Sequence, residues 1–272
     1  MPDTVYRLVN RVGRGALWGL GLDVHWTGAE QVPTEGPVIL AANHVSYPDF
    51  VFIQRAVLDR RRHVRFLTRH DVWDVRWLGR LLDGMRHIPV DRQAPAHAYL
   101  RARAALRAGE AVGVFPEAGI SWSFTVRSLM RGVGALAGET GAPVVPVAIW
   151  GSQRVFTVGD PAPPFDWRSR GRRVDLAFGA AQQVGPDDDL TDWTARLGHT
   201  LTGLLEGLQR MPEHVPRPGE VASWYPAHLG GHALTREQAA AYDVVPRSAV
   251  RPTWGPAPAV DAPTPRSGPP PA

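Results

Sequence analysis

Along the first 210 residues, apolar positions change from one period to another and back, as helices alternating with strands would require. Residues 3–20 place Val5, Leu8, Val9, Val12, Ala16 and Leu20 at helical spacing, with Arg7, Arg11 and Arg14 largely on another face. Short apolar runs at 24–27, 38–42, 63–69, 87–90, 111–115, 142–150 and 172–179 have the length of strands. Helical patterns over 49–58, 76–83, 95–108, 127–138 and 189–209 lie between them, and the 95–108 pattern stops at Gly109. Pro146 inside the 142–150 run predicts a sheet edge or a bulge there. The alternation predicts an α/β fold: one layered domain with a central mixed β-sheet flanked by helices.

Three segments follow from this pattern. Residues 1–22 read as an amphipathic helix, 23–210 as the folded domain, and 211–272 as a Pro-rich tail that is largely disordered, because it holds too little apolar surface to order itself. Within that tail, Thr235 and Gln238 have capping-box spacing for one short helix, and the stretch ASWYPAHLGG at 222–231 is suited to dock on the domain.

Composition narrows the chemistry. The chain has no cysteine, which excludes a disulfide scaffold, a thiol nucleophile and a Cys-ligated zinc site. It has no lysine either, so all thirty basic residues are arginine, and Schiff-base and P-loop lysine chemistry are excluded. The histidines show no ligand spacing, and no metal or cofactor is expected. A net charge of +4 and a pI near 10.1 suit an anionic membrane or a phosphorylated substrate. Nucleic acid is not expected, because no helix-turn-helix, zinc-finger or RNP pattern appears. No stretch of some eighteen uninterrupted apolar residues occurs, so no transmembrane helix is expected. The basic N-terminal helix, with Trp18 as an interface anchor, suits either a membrane surface or ordinary packing on its own domain. The run DRRRHVR at 59–65 reads as a basic rim for a carrier protein, CoA phosphates or anionic lipid, or as a solvated helix end. Trp73, Trp77 and Trp122 are the candidates for a membrane- or acyl-facing surface.

Candidate chemistry sits at the ends of predicted strands. After the apolar run 37–42 comes NHVSYPDF, which places His44 at a strand-to-helix junction, Ser46 as a helix cap, and Asp49 in the first helical turn. Further on, GMRHIPVDR at 84–92 puts Arg92 just past a strand, a position suited to bidentate phosphate binding. VFPEAGIS at 114–121 puts Glu117 in a strand-end loop, and VVPVAI at 144–149 is another strand.

The order of these blocks resembles the glycerolipid acyltransferase family, which includes 1-acylglycerol-3-phosphate acyltransferases. The matching blocks are Asn43-His44 with Asp49 five residues on, the Gly84-to-Arg92 strand, Phe115-Pro116-Glu117, and Val144-Val145-Pro146-Val147. The resemblance implies transfer of a fatty acyl group from acyl-CoA or acyl carrier protein to the hydroxyl of a lysophosphatidate-like acceptor, in phospholipid biosynthesis. It implies His44 as the base that takes the hydroxyl proton and Asp49 as its orienting partner. It assigns Arg92 to the acceptor phosphate and Glu117 to the acceptor, with Asn43 and Ser121 in supporting binding roles. It also implies a peripheral protein on the lipid surface of the cytoplasmic face of the membrane. No G-x-S-x-G elbow is present, so no covalent acyl-enzyme is expected.

One motif departs from the family. The usual Phe-Pro-Glu-Gly-Thr-Arg-Ser is here Phe115-Pro116-Glu117-Ala118-Gly119-Ile120-Ser121, so Ala118 replaces a glycine and Ile120 a phosphate-binding arginine. Arg127 or Arg131, expected on the next helix, are the candidates to compensate. The other readings are a larger acceptor head group or recognition by Arg92 alone. A different lipid acceptor, an ester or thioester hydrolase, and a non-catalytic lipid-binding relative stand as alternatives.

Overall fold

The computed structural model describes residues 4–91, 94–159, 171–243 and 248–255. Seven strands form one sheet: β1 (Asp23–Thr27), β2 (Val38–Ala42), β3 (Val64–Arg69), β4 (Ile88–Val90), β5 (Ala111–Val114), β6 (Val144–Trp150) and β7 (Arg173–Phe178). Their order is β1-β7-β6-β2-β5-β3-β4. The run from β6 to β4 is parallel, β7 is antiparallel to β6, and β1 is parallel to β7, so the sheet is mixed as expected. The helices are α1 (Thr4–Gly19), α2 (Asp49–Val57), α3 (Arg76–Gly84), α4 (Pro95–Arg107), α5 (Gly132–Thr140), α6 (Leu190–Gln209) and the short α7 (Arg236–Ala239).

β2 and β6 are buried along their whole length, as strands covered on both faces must be. Helices α1, α2 and α3 pack together, and α4, α5 and α6 form a second layer. Close approach between strands needs Gly113 in β5, since a Cβ there would meet Phe66 of β3 at 2.4 Å.

Three expectations change. β6 is third in the sheet order and not at an edge, and the bulge is what occurs: the antiparallel pairing steps by one residue between Val147–Phe178 and Val144–Gln182, with Pro146 between them. Pro146 is tolerated because the β6–β7 ladder starts at the Val147–Phe178 pair, and Pro146 itself only accepts a bond, from the Gly179 N–H at 2.8 Å. The helix expected at 127–138 is α5, which starts at Gly132 and leaves residues 121–131 as an irregular loop that deviates from the regular pattern.

The third change is at the C-terminus. The domain does not end at residue 210: residues 211–243 and 248–255 pack onto it, with Ala222, Tyr225, Ala239 and Trp254 buried. Scattered aromatic and alanine positions, too sparse to show a period, supply the contact. The capping box at Thr235 forms as expected, with Gln238 returning a bond to the cap. The final Pro-rich stretch, 256–272, lies outside the described residues.

The apolar face of α1 divides in two. Tyr6 is buried, stacks on His63 at 4.6 Å, and donates to the Gln54 side chain at 2.7 Å and the Val64 carbonyl at 2.6 Å. Val5, Leu8 and Val12 stay exposed on an adjoining stripe, and Trp18 is 84% exposed. The helix is therefore fixed to the domain and still presents an apolar edge to its surroundings.

Candidate active site

The site is built at the carboxyl ends of three neighbouring strands. β6, β2 and β5 lie side by side and deliver Ser152, His44 and Glu117 respectively. Adjacent strands are about 4.8 Å apart, so residues just past their ends converge.

Asp49 is fully buried at the start of α2. Its Oδ2 receives the backbone N–H of Val45 at 2.8 Å and of Ser46 at 2.9 Å, and lies 2.9 Å from His44 Nδ1. Oδ1 receives the Ser152 hydroxyl at 2.6 Å. A carboxylate only accepts, so His44 Nδ1 carries the hydrogen and the ring leaves its Nε2 lone pair on the far side. Phe115 stacks on the imidazole, with ring centroids 4.1 Å apart, and His44 keeps 18% of its side chain exposed. The arrangement is an oriented, partly open base with a buried anion behind it.

Ser46 is not the helix cap. Pro48 holds that position, and the Ser46 hydroxyl instead donates to the carbonyls of Ser152 at 3.0 Å and Phe156 at 2.5 Å. Asn43 is fully buried: its amide donates to the Ile149 carbonyl at 3.2 Å, and its oxygen receives the Ile149 N–H at 2.7 Å. The side chain thereby continues the β2–β6 ladder past the end of the backbone pairing.

Glu117 is buried, and both of its oxygens are taken by backbone. Oε1 receives the His44 N–H at 2.8 Å and Oε2 the Arg127 N–H at 2.9 Å. Burial pushes this carboxyl up to about 8, against the downward pull of those two N–H groups and of the Arg127 guanidinium. The Ser121 N–H donates to the His44 carbonyl at 2.8 Å, and the Ser121 hydroxyl to the Thr125 carbonyl at 2.7 Å. Asn43, Glu117 and Ser121 thus hold the His44 loop in place. Arg92 lies outside the described residues.

The altered motif has a structural counterpart. Ala118 has φ 56°, a left-handed backbone that glycine adopts without penalty and alanine does not. Ile120 is buried. Arg127 sits on the irregular loop, not on a helix: its Nη1 pairs with Asp243 at 3.1 Å and donates to the Ile120 carbonyl at 3.3 Å. Arg131 precedes α5, is exposed, and reaches Thr191 at 3.5 Å. Ser152 and the ring of Phe115 escaped the sequence reading. Ser152 has no motif spacing to His44, and Phe115 looked like strand core.

A family model described as Acyltransferase matches residues 23–150, the span that contains all these strand-end residues up to β6. Residues 23–150 are an acyltransferase-family domain. A 1-acyl-sn-glycerol-3-phosphate acyltransferase of Borreliella burgdorferi is 26% identical over 145 residues, which is 52% of this chain and 56% of that protein. One of Bacillus subtilis is 28% identical over 123 residues, 45% of this chain and 60% of that protein. Each match therefore spans less than two thirds of the relative's own length. The crystal structure of the 1-acyl-sn-glycerophosphate (LPA) acyltransferase, PlsC, from Thermotoga maritima has the same fold. The TM-score is 0.64 at 21% identity, over 76% of this chain and 80% of that one.

Proposed function

We propose that this acyltransferase-family chain moves a fatty acyl group from a thioester, acyl-CoA or acyl carrier protein, to the hydroxyl of a lysophosphatidate-like glycerolipid. The His44–Asp49 pair at the sheet edge carries the reading. A hydroxyl is a poor nucleophile until its proton is removed, and imidazole is the side chain that gains and loses a proton near neutral pH. As the acceptor oxygen attacks the thioester carbonyl, its proton passes to His44 Nε2. Asp49 balances the imidazolium, and collapse of the tetrahedral species expels the thiolate, which takes a proton. The acceptor's own hydroxyl stands where a serine nucleophile stands in a triad. The similarity to proteins named 1-acyl-sn-glycerol-3-phosphate acyltransferases supports a phosphate-bearing acceptor.

The direct test supplies purified protein with an acyl thioester and follows both phosphatidate and free fatty acid. Acyl transfer that depends on lysophosphatidate is the expected result. Fatty acid release without acceptor would identify a hydrolase instead.

A peripheral site on the cytoplasmic face of a membrane belongs to the same reading. Among the described residues no helix is long and apolar enough to cross a membrane. The exposed Val5, Leu8 and Val12 on α1, with Trp77 on α3 at 68% exposure, form the surface suited to dock. Trp73 instead packs inside against the α1–α3 cluster, and Trp122 stacks on Tyr242. Leu8→Glu with Val12→Glu should reduce vesicle retention about tenfold or more, since each change removes an exposed apolar side chain that would enter the lipid interface and puts a charge there. Undiminished flotation with vesicles would return α1 to a packing role alone. Deleting residues 1–20 is a poorer test, because it also removes the buried Tyr6.

A further inference from the structure

The sheet has a second charged edge. At the amino ends of β2, β3 and β5, opposite the edge that carries His44, lies an open cleft of about 350 Å3. Arg61, Arg62, Arg65 and Arg86 line it together with His63, and the acids among its lining residues are Glu35 and Glu110. Four guanidinium groups against two carboxylates leave the cleft positive by two charges with His63 neutral.

One of the two carboxylates, Glu110, is already engaged. Glu110 receives Arg65 Nε at 2.5 Å and Arg86 Nη1 at 2.6 Å. Arg62 is buried and donates to the carbonyls of Gly36 at 2.7 Å and Gly109 at 3.2 Å. Burial lowers its pKa, and Glu110 and Glu35 offset part of that. The floor of the cleft is therefore a desolvated cation with its carbonyl partners in place, and Arg61 stands exposed at the rim.

The backbone adds an independent observation. Arg61 has φ 56° and Arg86 φ 58°. Both positions are left-handed, where glycine is favoured and a long side chain is not. A long side chain in this backbone region is a local cost, and at both positions it delivers a guanidinium to the cleft, Arg86 beside Glu110 and Arg61 at the exposed rim. Two such residues border the same cleft.

We propose that this cleft is a second, non-catalytic site that binds a phosphate-bearing anion. Guanidinium forks match phosphate oxygens, and the cleft's size and surplus charge suit one such group. The site adjoins α1: Arg65 lies over the Tyr6 ring at 5.2 Å, and Gly84 seats Val5 so closely that a Cβ there would meet it at 2.7 Å. A phospholipid head group and a soluble phosphate are the two sources of the same chemistry. The inference does not depend on acyl transfer, because it concerns the opposite edge of the sheet.

The test uses the full chain and compares wild type with Arg61→Gly, Arg86→Gly. Inorganic phosphate or pyrophosphate, at ionic strength matched with chloride, should raise the wild-type unfolding midpoint. At about ten times the dissociation constant the rise for a chain of this size is roughly 2–3 °C. The double glycine variant should unfold no earlier than wild type without the anion, because glycine suits both backbones, and should lose most of the anion-dependent rise. Arg61→Gln, Arg86→Gln serves as the second variant if the glycine pair fails to fold. No rise in wild type, or the same rise in the folded variant, overturns the proposal. Vesicles of phosphatidylcholine with and without phosphatidylglycerol separate the sources. Retention that depends on phosphatidylglycerol and falls in the variant names a lipid head group. Loss of the response to soluble phosphate alone names a free anion.

Discussion

His44→Ala should lower the acyl-transfer rate by at least about a hundredfold, the scale set by a positioned proton-transfer group. The fold should survive. The imidazole is partly exposed, and its bond to Asp49 is one of four that the carboxylate receives, so Val45, Ser46 and Ser152 still satisfy the buried anion. Asp49→Asn tests the partner. An asparagine oxygen can receive the same backbone N–H groups and the imidazole, with its amide turned toward the Ser152 hydroxyl, which then accepts. Geometry is kept and the charge that balances the imidazolium is lost, so the rate should fall while the melting curve stays close to wild type. Initial rates with matched circular dichroism melts decide both cases. A folded His44→Ala protein with near-normal turnover would show that the base is elsewhere.

Deleting every residue after 210 should leave a protein that does not fold stably. The removed segment returns to the core at many points. Tyr225 donates to the Gln209 carbonyl at 2.9 Å, and His214 Nε2 meets Asp175 at 2.8 Å. Trp254 lies against Gly198, where a Cβ would meet its ring at 2.6 Å. The segment also covers the irregular loop. Arg236 donates to the Thr125 hydroxyl at 3.0 Å and the Val126 carbonyl at 2.7 Å, and Val250 pairs with Leu129. Loss of Asp243 also removes the ion pair that fixes the Arg127 guanidinium beside that loop. The loss of these contacts together is large against the roughly 5–15 kcal/mol that keeps a domain folded. Soluble expression with a cooperative, near-native melt of the 1–210 fragment would overturn this expectation.

That second prediction rests on a part of the molecule that the sequence discloses only in one stretch, ASWYPAHLGG at 222–231, whose Ala222 and Tyr225 are buried as a docked segment requires. β2 was legible to the residue, and α2, α4 and α6 nearly so, because long periodic patterns and stop signals such as Gly109 act locally. Packing of 211–243 and 248–255 depends on single residues, Tyr225, Tyr242 and Trp254, each meeting a distant partner, and leaves no period to read. Pro146 signals the bulge but not the strand's place inside the sheet. Its missing N–H is harmless only because β7 ends where it does, a fact of the sheet and not of the strand. At the site, the His44–Asp49 spacing was visible because both ends of that bond lie in one loop. Ser152 was not, since a bond over 103 residues has no local trace. The carboxylate of Glu117 was singled out, but its two backbone partners could not be inferred from its place in a motif.

Those two partners have a wider consequence. One side chain ties the loop after β2 to the loop after β5, while Asn43 and Ser152 tie the first of these to β6. The three loops therefore behave as one rigid body, and the direction in which the imidazole points is a property of the sheet's middle and not of the eight residues around it. The Asn43-to-Phe50 segment is consequently not a portable part. Transplanted onto another strand-to-helix junction it would arrive without the carboxylate from one side and the hydroxyl from the other, and the histidine would keep its neighbour but lose its bearing.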